Sequence, residues 1–329
     1  MRKLEDYLEL TQEELFGLLS RKYWNNALIN EGGYILIPGK APIMLLAHLD
    51  TVHKEPVKQI CKSPDENILM SPQGIGGDDR CGVYALIKAR EASPVKPWLL
   101  FTCDEEIGGI GADVFAEEHN KDKLPKGLDT LKLLIEIDRK GSKDAVYYDC
   151  DNPEFEKYIT NKGFVTATGS FSDISVIAPE LGVAAVNLSS GYYNAHTLHE
   201  YINRKQLEAV IQKVVGIIID AVKSDFPKYE YIEKVQKFSY TQWSRIFNTF
   251  SDTTVSIPND LPAELEGMYT DLLGIYSKSE LEELRKEYGN WIIVHMYEVE
   301  IGSPFEAFDD ELWGSSSEWH GFRKENEIL

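Results

Sequence analysis

The sequence predicts an α/β protein, with a mixed and mainly parallel central sheet flanked by helices and a C-terminal α+β appendage. Three apolar runs carry that expectation: IMLLA at 43–47, WLLFT at 98–102 and LKLLIEI at 131–137. Each has the length of a buried strand and stops abruptly at acids or a histidine. The helical pattern between the first two suits the right-handed crossover that joins parallel strands.

Taken in order, residues 4–23 carry Leu4, Leu8, Leu15, Leu18 and Leu19 at near-helical spacing, and Thr11 with Glu14 predicts a capping box that divides the stretch into two helices. Short strands are expected at 27–30 and 33–37, split by Gly32 and Gly33, and then the strand at 43–47. A polar hairpin-like piece at 57–71 leads to Gly74, Gly76 and Gly77. Asp78-Asp79 follow, then a helix over 80–91 with Val83, Leu86 and Ile87 inward. After the strand at 98–102 come Cys103, Asp104, Glu105 and Glu106 and a helix near 111–118; the strand at 131–137 ends in Asp138. Further on, the pattern predicts a strand at 145–148, helices at 153–162 and near 172–179, a strand at 183–188 and a loop at 189–197 carrying His196. Residues 203–222 give the clearest helix, with Leu207, Val210, Ile211, Val214, Val215, Ile218 and Val222 on one face.

Beyond Pro227 aromatic and acidic residues mix, which sets the expected boundary between a catalytic domain at 1–226 and an appendage of unknown role at 227–329. The appendage is expected to hold a helix over 280–288, capped by Ser279 with Glu282 and stopped by Gly289, and a strand at 291–301.

The 329 residues carry 54 acids against 34 Lys and Arg, a formal charge of −20, with no basic block to neutralise phosphates. That balance argues against nucleic acid as a partner. Cys61, Cys81, Cys103 and Cys150 are far apart and form no CxxC pair, so neither a disulfide framework nor a zinc ribbon is indicated. The start, MRKLEDYLEL, has acids where a signal peptide needs an apolar core, and no run of eighteen apolar residues predicts a membrane span. The protein reads as cytoplasmic.

The strand ends are where chemistry gathers. Residues two apart on a strand share a face, so His48 and Asp50 can point together while Leu49 packs the other way, and Asp50 can fix the tautomer of a ligating imidazole. A satisfied polar pair at a strand end is the bland alternative. Together with Asp78, Asp79, Glu105, Glu106, Asp138 and His196, however, these residues make a donor set of the size that a pair of divalent ions needs. Two ions about 3.5 to 4 Å apart require a bridging carboxylate, and one acid must remain free as a base.

The motifs HLD at 48–50, GGDDRCG at 76–82, DEEIGG at 104–109, EID at 136–138 and AHTLHE at 195–200 resemble, in order, the co-catalytic dizinc exopeptidase superfamily. That group includes leucyl-type aminopeptidases, peptidase T, carboxypeptidase G and related deacylases. The resemblance covers 43–222 and implies a phosphorylase/hydrolase-like zinc exopeptidase core. It implies that His48 and Asp138 hold one metal, Glu106 and His196 the other, that Asp78 bridges them, that Asp50 orients His48, and that Glu105 is the general base and later the proton donor. It also implies a cis peptide between Asp78 and Asp79. The implied cofactors are two divalent ions, zinc first, with cobalt or manganese as alternatives.

Several neighbours read more plainly. His199 reads as a loop residue, Glu200 as orienting that loop, and Cys81 and Cys103 as small buried hydrophobes. His53, His119, His295 and His320 read as ordinary histidines. The SFSD stretch at 170–173 is either a substrate-side loop or a helix N-cap at Ser172 or Asp173. Only about thirty positions separate His48 from Asp78 and fifty-eight separate Asp138 from His196, so no inserted lid domain is expected. That compactness resembles the compact aminopeptidase branch, while Asp-Asp-Arg looks closer to the tetrahedral one.

The expected function is a dinuclear metallo-exopeptidase that cleaves a terminal amide, an aminopeptidase or small-peptide exopeptidase. The alternatives are an N-acyl amino acid amidohydrolase and, from another class, a catalytically silent metal-binding scaffold. The expected partners are a small peptide or N-acyl amino acid as substrate and copies of the chain in a homo-oligomer, with no membrane.

Overall fold

The computed structural model describes residues 2–53, 55–234 and, in the C-terminal part, 258, 260–262, 265–273, 276, 278–290, 292–293 and 296. The chain divides into two compact units, Met1–Val235 and Gln236–Leu329.

The first unit opens with α1 (Glu5–Leu8) and α2 (Gln12–Tyr23). Between them the Thr11 hydroxyl accepts from the Glu14 N–H while the Glu14 carboxylate accepts from the Thr11 N–H, the reciprocal box expected from the sequence. Then follow β1 (Leu28–Asn30), β2 (Tyr34–Ile37), β3 (Ile43–His48), β4 (Cys61–Lys62), β5 (Ile68–Met70), α3 (Gly77–Ala92), β6 (Trp98–Thr102), α4 (Ile110–Asn120) and β7 (Leu133–Arg139). The unit continues with β8 (Asp144–Val146), α5 (Pro153–Thr160), β9 (Val165–Thr166), α6 (Asp173–Leu181), β10 (Ala185–Ser189), β11 (Tyr192–Tyr193), β12 (Tyr201–Asn203) and α7 (Arg204–Ala221).

Eight strands form one mixed sheet in the order β1-β2-β6-β3-β7-β10-β8-β9. Its central four, β6, β3, β7 and β10, run parallel, as the apolar runs predict; β1, β2 and β8 join antiparallel, and β9 pairs parallel with β8. A second, antiparallel sheet of β11, β12, β5 and β4 has no counterpart in the sequence reading beyond the polar hairpin. Its strands are two or three residues long, too short for alternation to register.

Strand alternation divides the central sheet between two cores. Ile43, Leu45 and Ala47 of β3, with Leu133, Ile135 and Ile137 of β7, pack on the side of α3 and α7. Met44, Leu46, Leu100 and Leu134 pack on the other side with residues of α4 and α6. Asn203 caps α7 by accepting from the Gln206 N–H, and Leu207, Val210, Ile211, Val214, Ile217, Ile218 and Ala221 are buried. The face is therefore rotated slightly from the expected one: Val215 is only half-buried and Val222 is exposed, while Ile217 takes their place inside.

Residues 227–234 stay with the first unit. The Tyr229 N–H donates to the Lys132 carbonyl, and single bridges join Val183 to Glu230 and Cys150 to Glu233. In the second unit α8 (Glu266–Leu272) and α9 (Lys278–Tyr288) share a small core of Leu261, Leu265, Met268, Tyr269, Leu272, Leu281, Ile292 and Ile293. The expected α9 is present and Gly289 has φ +80°, but the helix starts before Ser279, which therefore lies inside it rather than at its cap. Ile292, Ile293 and Met296 are helical where a strand was expected at 291–301; the rest of that stretch, with His295 and His320, lies outside the described residues. Among the described residues no helix is long and apolar enough to cross a membrane.

Gly82, one turn into α3, shows how tightly that helix meets β7. A Cβ there would come within 2.2 Å of the Ile137 carbonyl and 2.3 Å of the Asp79 carboxylate. Overpacking of this kind costs about 1–3 kcal/mol. Gly82→Ala is expected to lower the unfolding free energy read from a urea titration by that amount, and an unchanged value would disprove the close approach.

Candidate metal centre

The face of the sheet that turns toward α4 and α6 is apolar until its last residues and then becomes polar on every central strand. Two residues on from Leu46 stands His48, two on from Leu100 stands Thr102, two on from Leu134 stands Glu136 and then Asp138, and two on from Ala185 stands Asn187. Register aligns them, with His48 opposite Thr102 and Glu136 between Leu46 and Asn187. Leu49 packs into the opposite core, as alternation requires. Beyond the strand ends, three connections complete the set: Asp78 at the irregular start of α3, Glu105 and Glu106 in the turn after β6, and His196 in the loop between β11 and β12. The Asp78-Asp79 peptide is cis. Asp104 and His196 hold left-handed backbone at φ +58° and +63°, a strained conformation for residues with side chains, on the two loops that approach the centre.

Asp78 stands in the middle. Its Oδ1 is 3.2 Å from His48 Nε2 and its Oδ2 is 3.3 Å from His196 Nε2. Asp138 Oδ1 lies 3.5 Å from His48 Nε2, and Glu106 Oε2 lies 3.2 Å from His196 Nε2. Among the described residues, donor atoms of His48, Asp78 and Asp138, of His48, Glu105 and Glu106, and of Asp78, Glu106 and His196 all lie within 4.8 Å of one another in their sets. Two triads thus share one carboxylate.

Asp50 holds three parts of this arrangement together. Its Oδ1 is 3.1 Å from His48 Nδ1 and accepts the Glu105 N–H at 3.1 Å, while its Oδ2 accepts the Glu106 N–H at 3.0 Å. Arg80, fully buried, donates to the carbonyls of Leu49, Asp50 and Leu10, and burial pulls its pKa down to about 10, so it stays charged at neutral pH. Glu200 is also fully buried: it accepts from the N–H groups of Gly76 and Asp78, both at 3.0 Å, and lies 2.9 Å from His53 Nε2. It therefore clips the His196 loop to the Asp78 turn, and His53, read from the sequence as an ordinary histidine, belongs to that clip. His199 is exposed on the loop.

So many acids in one place repel each other, and burial adds to the effect. Burial pushes the Glu105 carboxyl up to about 7, against the nearby His48 and with the charges of Glu106 and Asp78. Burial and Asp78 raise Glu106, and burial with Asp78 and Asp79 raises Asp138 strongly. Asp78 goes the other way: burial opposes its charge, but hydrogen bonds from His196 and His48 hold its carboxyl well below the usual range. The hydrogen bond to Asp78 lifts His196 to about 9; burial pulls His48 down, but the charge of Asp138 and hydrogen bonds to Asp138, Asp50 and Asp78 together raise it well above its usual value. Among these side chains the imidazoles supply the positive charge. Imidazole and carboxylate donors converging on a carboxylate-rich site suit zinc, cobalt or manganese, and the buried Glu106 Oε1 has no protein partner, so the donor set fits such ions. Among the described residues no cysteine joins these donor sets; burial raises Cys81 well above its usual value and Cys103 to about 12.

Sequence reasoning passed over Thr102, Asn187 and Tyr192, and gave Glu136 no role. Counting back two residues from Asp138 finds Glu136, whereas Thr102 and Asn187 stand opposite His48 and Glu136 on neighbouring strands and are found only from the register. The SFSD stretch resolves as a helix start: α6 begins at Asp173 with Ser172 as its N-cap, and Ser172 Oγ also donates to Glu136 Oε2 at 2.6 Å. On the open side Ile107, Ile110, Phe171 and Leu198 are exposed apolar residues on the turns that carry Glu106, Ser172 and His196.

No family model and no curated protein sequence matches the chain. In structure it is similar to the aminopeptidase PepT of Bacillus cereus ATCC 10987, with a TM-score of 0.51 and 16% identity over 67% of this chain and 97% of that one. It is similar to a tripeptidase of Staphylococcus aureus subsp. aureus mu50 to the same degree, with a TM-score of 0.51 and 15% identity over 66% of this chain and 96% of the other. The fold is the one these two peptidases share, and it is the fold that the motif resemblance implied.

The raised groups fix a pH dependence. Glu105 (from 4.5 to about 7) and His196 (from 6.5 to about 9) both bind protons more tightly when folded, so their stabilisation is complete below the unfolded values and fades as pH rises through the folded ones. The thermal midpoint of chelator-stripped protein is expected to fall between pH 5 and pH 9, with His196→Ala removing the upper part of that fall; a midpoint that rises over this interval contradicts the charge arrangement.

Proposed function

We propose that the chain is a metal-dependent exopeptidase that cleaves the terminal amide of a short peptide. The observation that carries this is the position of Asp78, one oxygen toward His48 and the other toward His196. On this reading His48, Asp78 and Asp138 hold one divalent ion, and Asp78, Glu106 and His196 hold a second. When bound, such ions would polarise the scissile carbonyl and lower the pKa of a water toward neutrality.

The remaining work falls to side chains of this chain. Glu105 lies within the cluster but outside the two triads that share Asp78. Its carboxylate, beside His48 and Glu106, is placed to take a proton from the attacking water at one stage and release it to the leaving amine at the next. Glu105 therefore ends each turnover in the state in which it began. Asp50 serves it indirectly, since the same carboxylate orders the Glu105 N–H and the imidazole of His48. Glu200 and Arg80 hold the Asp78 turn and the HLD end in register. The similarity of fold to an aminopeptidase and a tripeptidase supports peptide as the substrate class.

A substrate panel separates this reading from its rivals. Di- and tripeptides with a free α-amine are expected to be cleaved in the presence of zinc, cobalt or manganese, and N-acylated amino acids are not. Preference for the acylated compounds would make the protein a deacylase, and ion uptake without hydrolysis of either class would make it a binding protein. Glu105→Gln is expected to keep the wild-type metal content while losing about 10²–10⁴-fold in kcat; activity within tenfold of wild type would remove Glu105 from the mechanism.

A further inference from the structure

Asp138 is held by a construction that the ladder around it does not supply. β7 and β10 pair regularly through Asn187 opposite Glu136, and then the register slips, so that Ser189 lies opposite Arg139. Asp138 falls in the slip. The Asn187 side chain takes the place of the missing peptide: its Oδ1 accepts the Asp138 N–H at 2.9 Å and its Nδ2 lies 3.3 Å from the Asp138 carbonyl. The same Nδ2 is 3.1 Å from both Ser172 Oγ and the Tyr148 hydroxyl. From the other side the Tyr192 hydroxyl donates to the Asp138 carbonyl at 3.1 Å and lies 3.4 Å from its Oδ1.

Asn187, Ser172 and Tyr192 are buried, Asn187 being 1% and Tyr192 3% exposed, where a polar group without a partner is costly. The polar atoms of Asn187 are instead spent on Asp138 and on the two hydroxyls that face it. The need for such a clamp is geometric: Asp138 must aim one oxygen into a set whose donor atoms, with those of His48 and Asp78, lie within 4.8 Å of one another.

We propose that Asn187 is a positioning residue for the His48–Asp138 half of the centre: it acts through Asp138, which it holds by its backbone, and its hydrogen bonds go to Asp138, Ser172 and Tyr148 rather than to Asp78, Glu106 or His196. The Tyr192 hydroxyl bonds Asp78 as well as Asp138 and so serves both halves. This rests on the two-ion reading above. It differs from a merely structural role in being one-sided, because a loss of general packing weakens both halves alike.

The test measures binding of zinc ion alone to the full chain, stripped of metal, by calorimetry. In a His196→Ala background, which leaves the His48, Asp78 and Asp138 triad, Asn187→Ala and Asn187→Leu are each expected to weaken zinc binding about 10–100-fold. In an Asp138→Ala background, which leaves Asp78, Glu106 and His196, the same substitutions are expected to change it less than about twofold. Asn187→Leu keeps the side-chain volume, so the comparison stands even where Asn187→Ala fails to fold. Equal losses in both backgrounds, or no loss in the first, overturn the proposal. Should the unsubstituted chain take up no zinc, the two-ion reading itself fails, and that result is distinct because it appears before any substitution at Asn187.

Discussion

The first unit is organised around one electrostatic constraint, which is to keep Asp78, Asp138, Glu105 and Glu106 close together in a place with little water. Carboxylates at such range repel strongly, and burial penalises each charge separately. The fold meets the constraint with fixed donors. Asp50 collects two backbone N–H groups and an imidazole, Glu200 collects two N–H groups and another imidazole, and Asn187 binds both backbone groups of Asp138. In each case a side chain orders a backbone, and the backbone aims the acid.

The N-terminal helices belong to the same arrangement, although they carry no site residue. Gln12 at the start of α2 pairs reciprocally with Asp104, its Nε2 donating to Oδ1 at 2.7 Å and its Oε1 accepting the Asp104 N–H at 3.0 Å. The Leu10 carbonyl accepts from Arg80, two residues beyond Asp78. The turn that leads into Glu105 and the helix start that carries Asp78 are thus both fastened to residues 10–12. Asp104 has left-handed backbone, which costs a non-glycine residue about 1–3 kcal/mol, and the bond to Gln12 is one of the interactions that offset it.

What the sequence made legible follows from the reach of each signal. Alternation and apolar length found β3, β6 and β7 and placed His48 and Asp138 at their ends, because buried central strands are long enough to show a pattern. The Thr11 and Glu14 box and the helix start at Ser172 were visible because their chemistry is local. β9, β11 and β12 were not visible, being two or three residues each and held by pairing with distant strands. The expected strand at 291–301 fails for a related reason: WIIVHM is an apolar run that suits a strand or a buried helix equally well, and its described residues are helical. In the site, motif order gave the candidate ligands, whereas Asn187 required the register of β10 on β7 to be seen.

Beneath the centre lies a second acidic layer that the same constraint explains. Glu136 and Asp173 are fully buried, one oxygen of each bonded to a hydroxyl, Ser172 for Glu136 and Thr102 for Asp173, and the other oxygen without a protein partner. Burial raises both carboxyls, Asp173 to about 7, and the charge of Asp173 adds to the rise of Glu136 well above its usual value. Ser172 accepts from Asn187 while it donates to Glu136. A chain of contacts therefore runs from Glu136 through Ser172 and Asn187 to the backbone of Asp138. The hydroxyl that bonds Glu136 also lies 3.5 Å from Asp138 Oδ2, so one serine ties together the two carboxyl groups that stand two residues apart on β7.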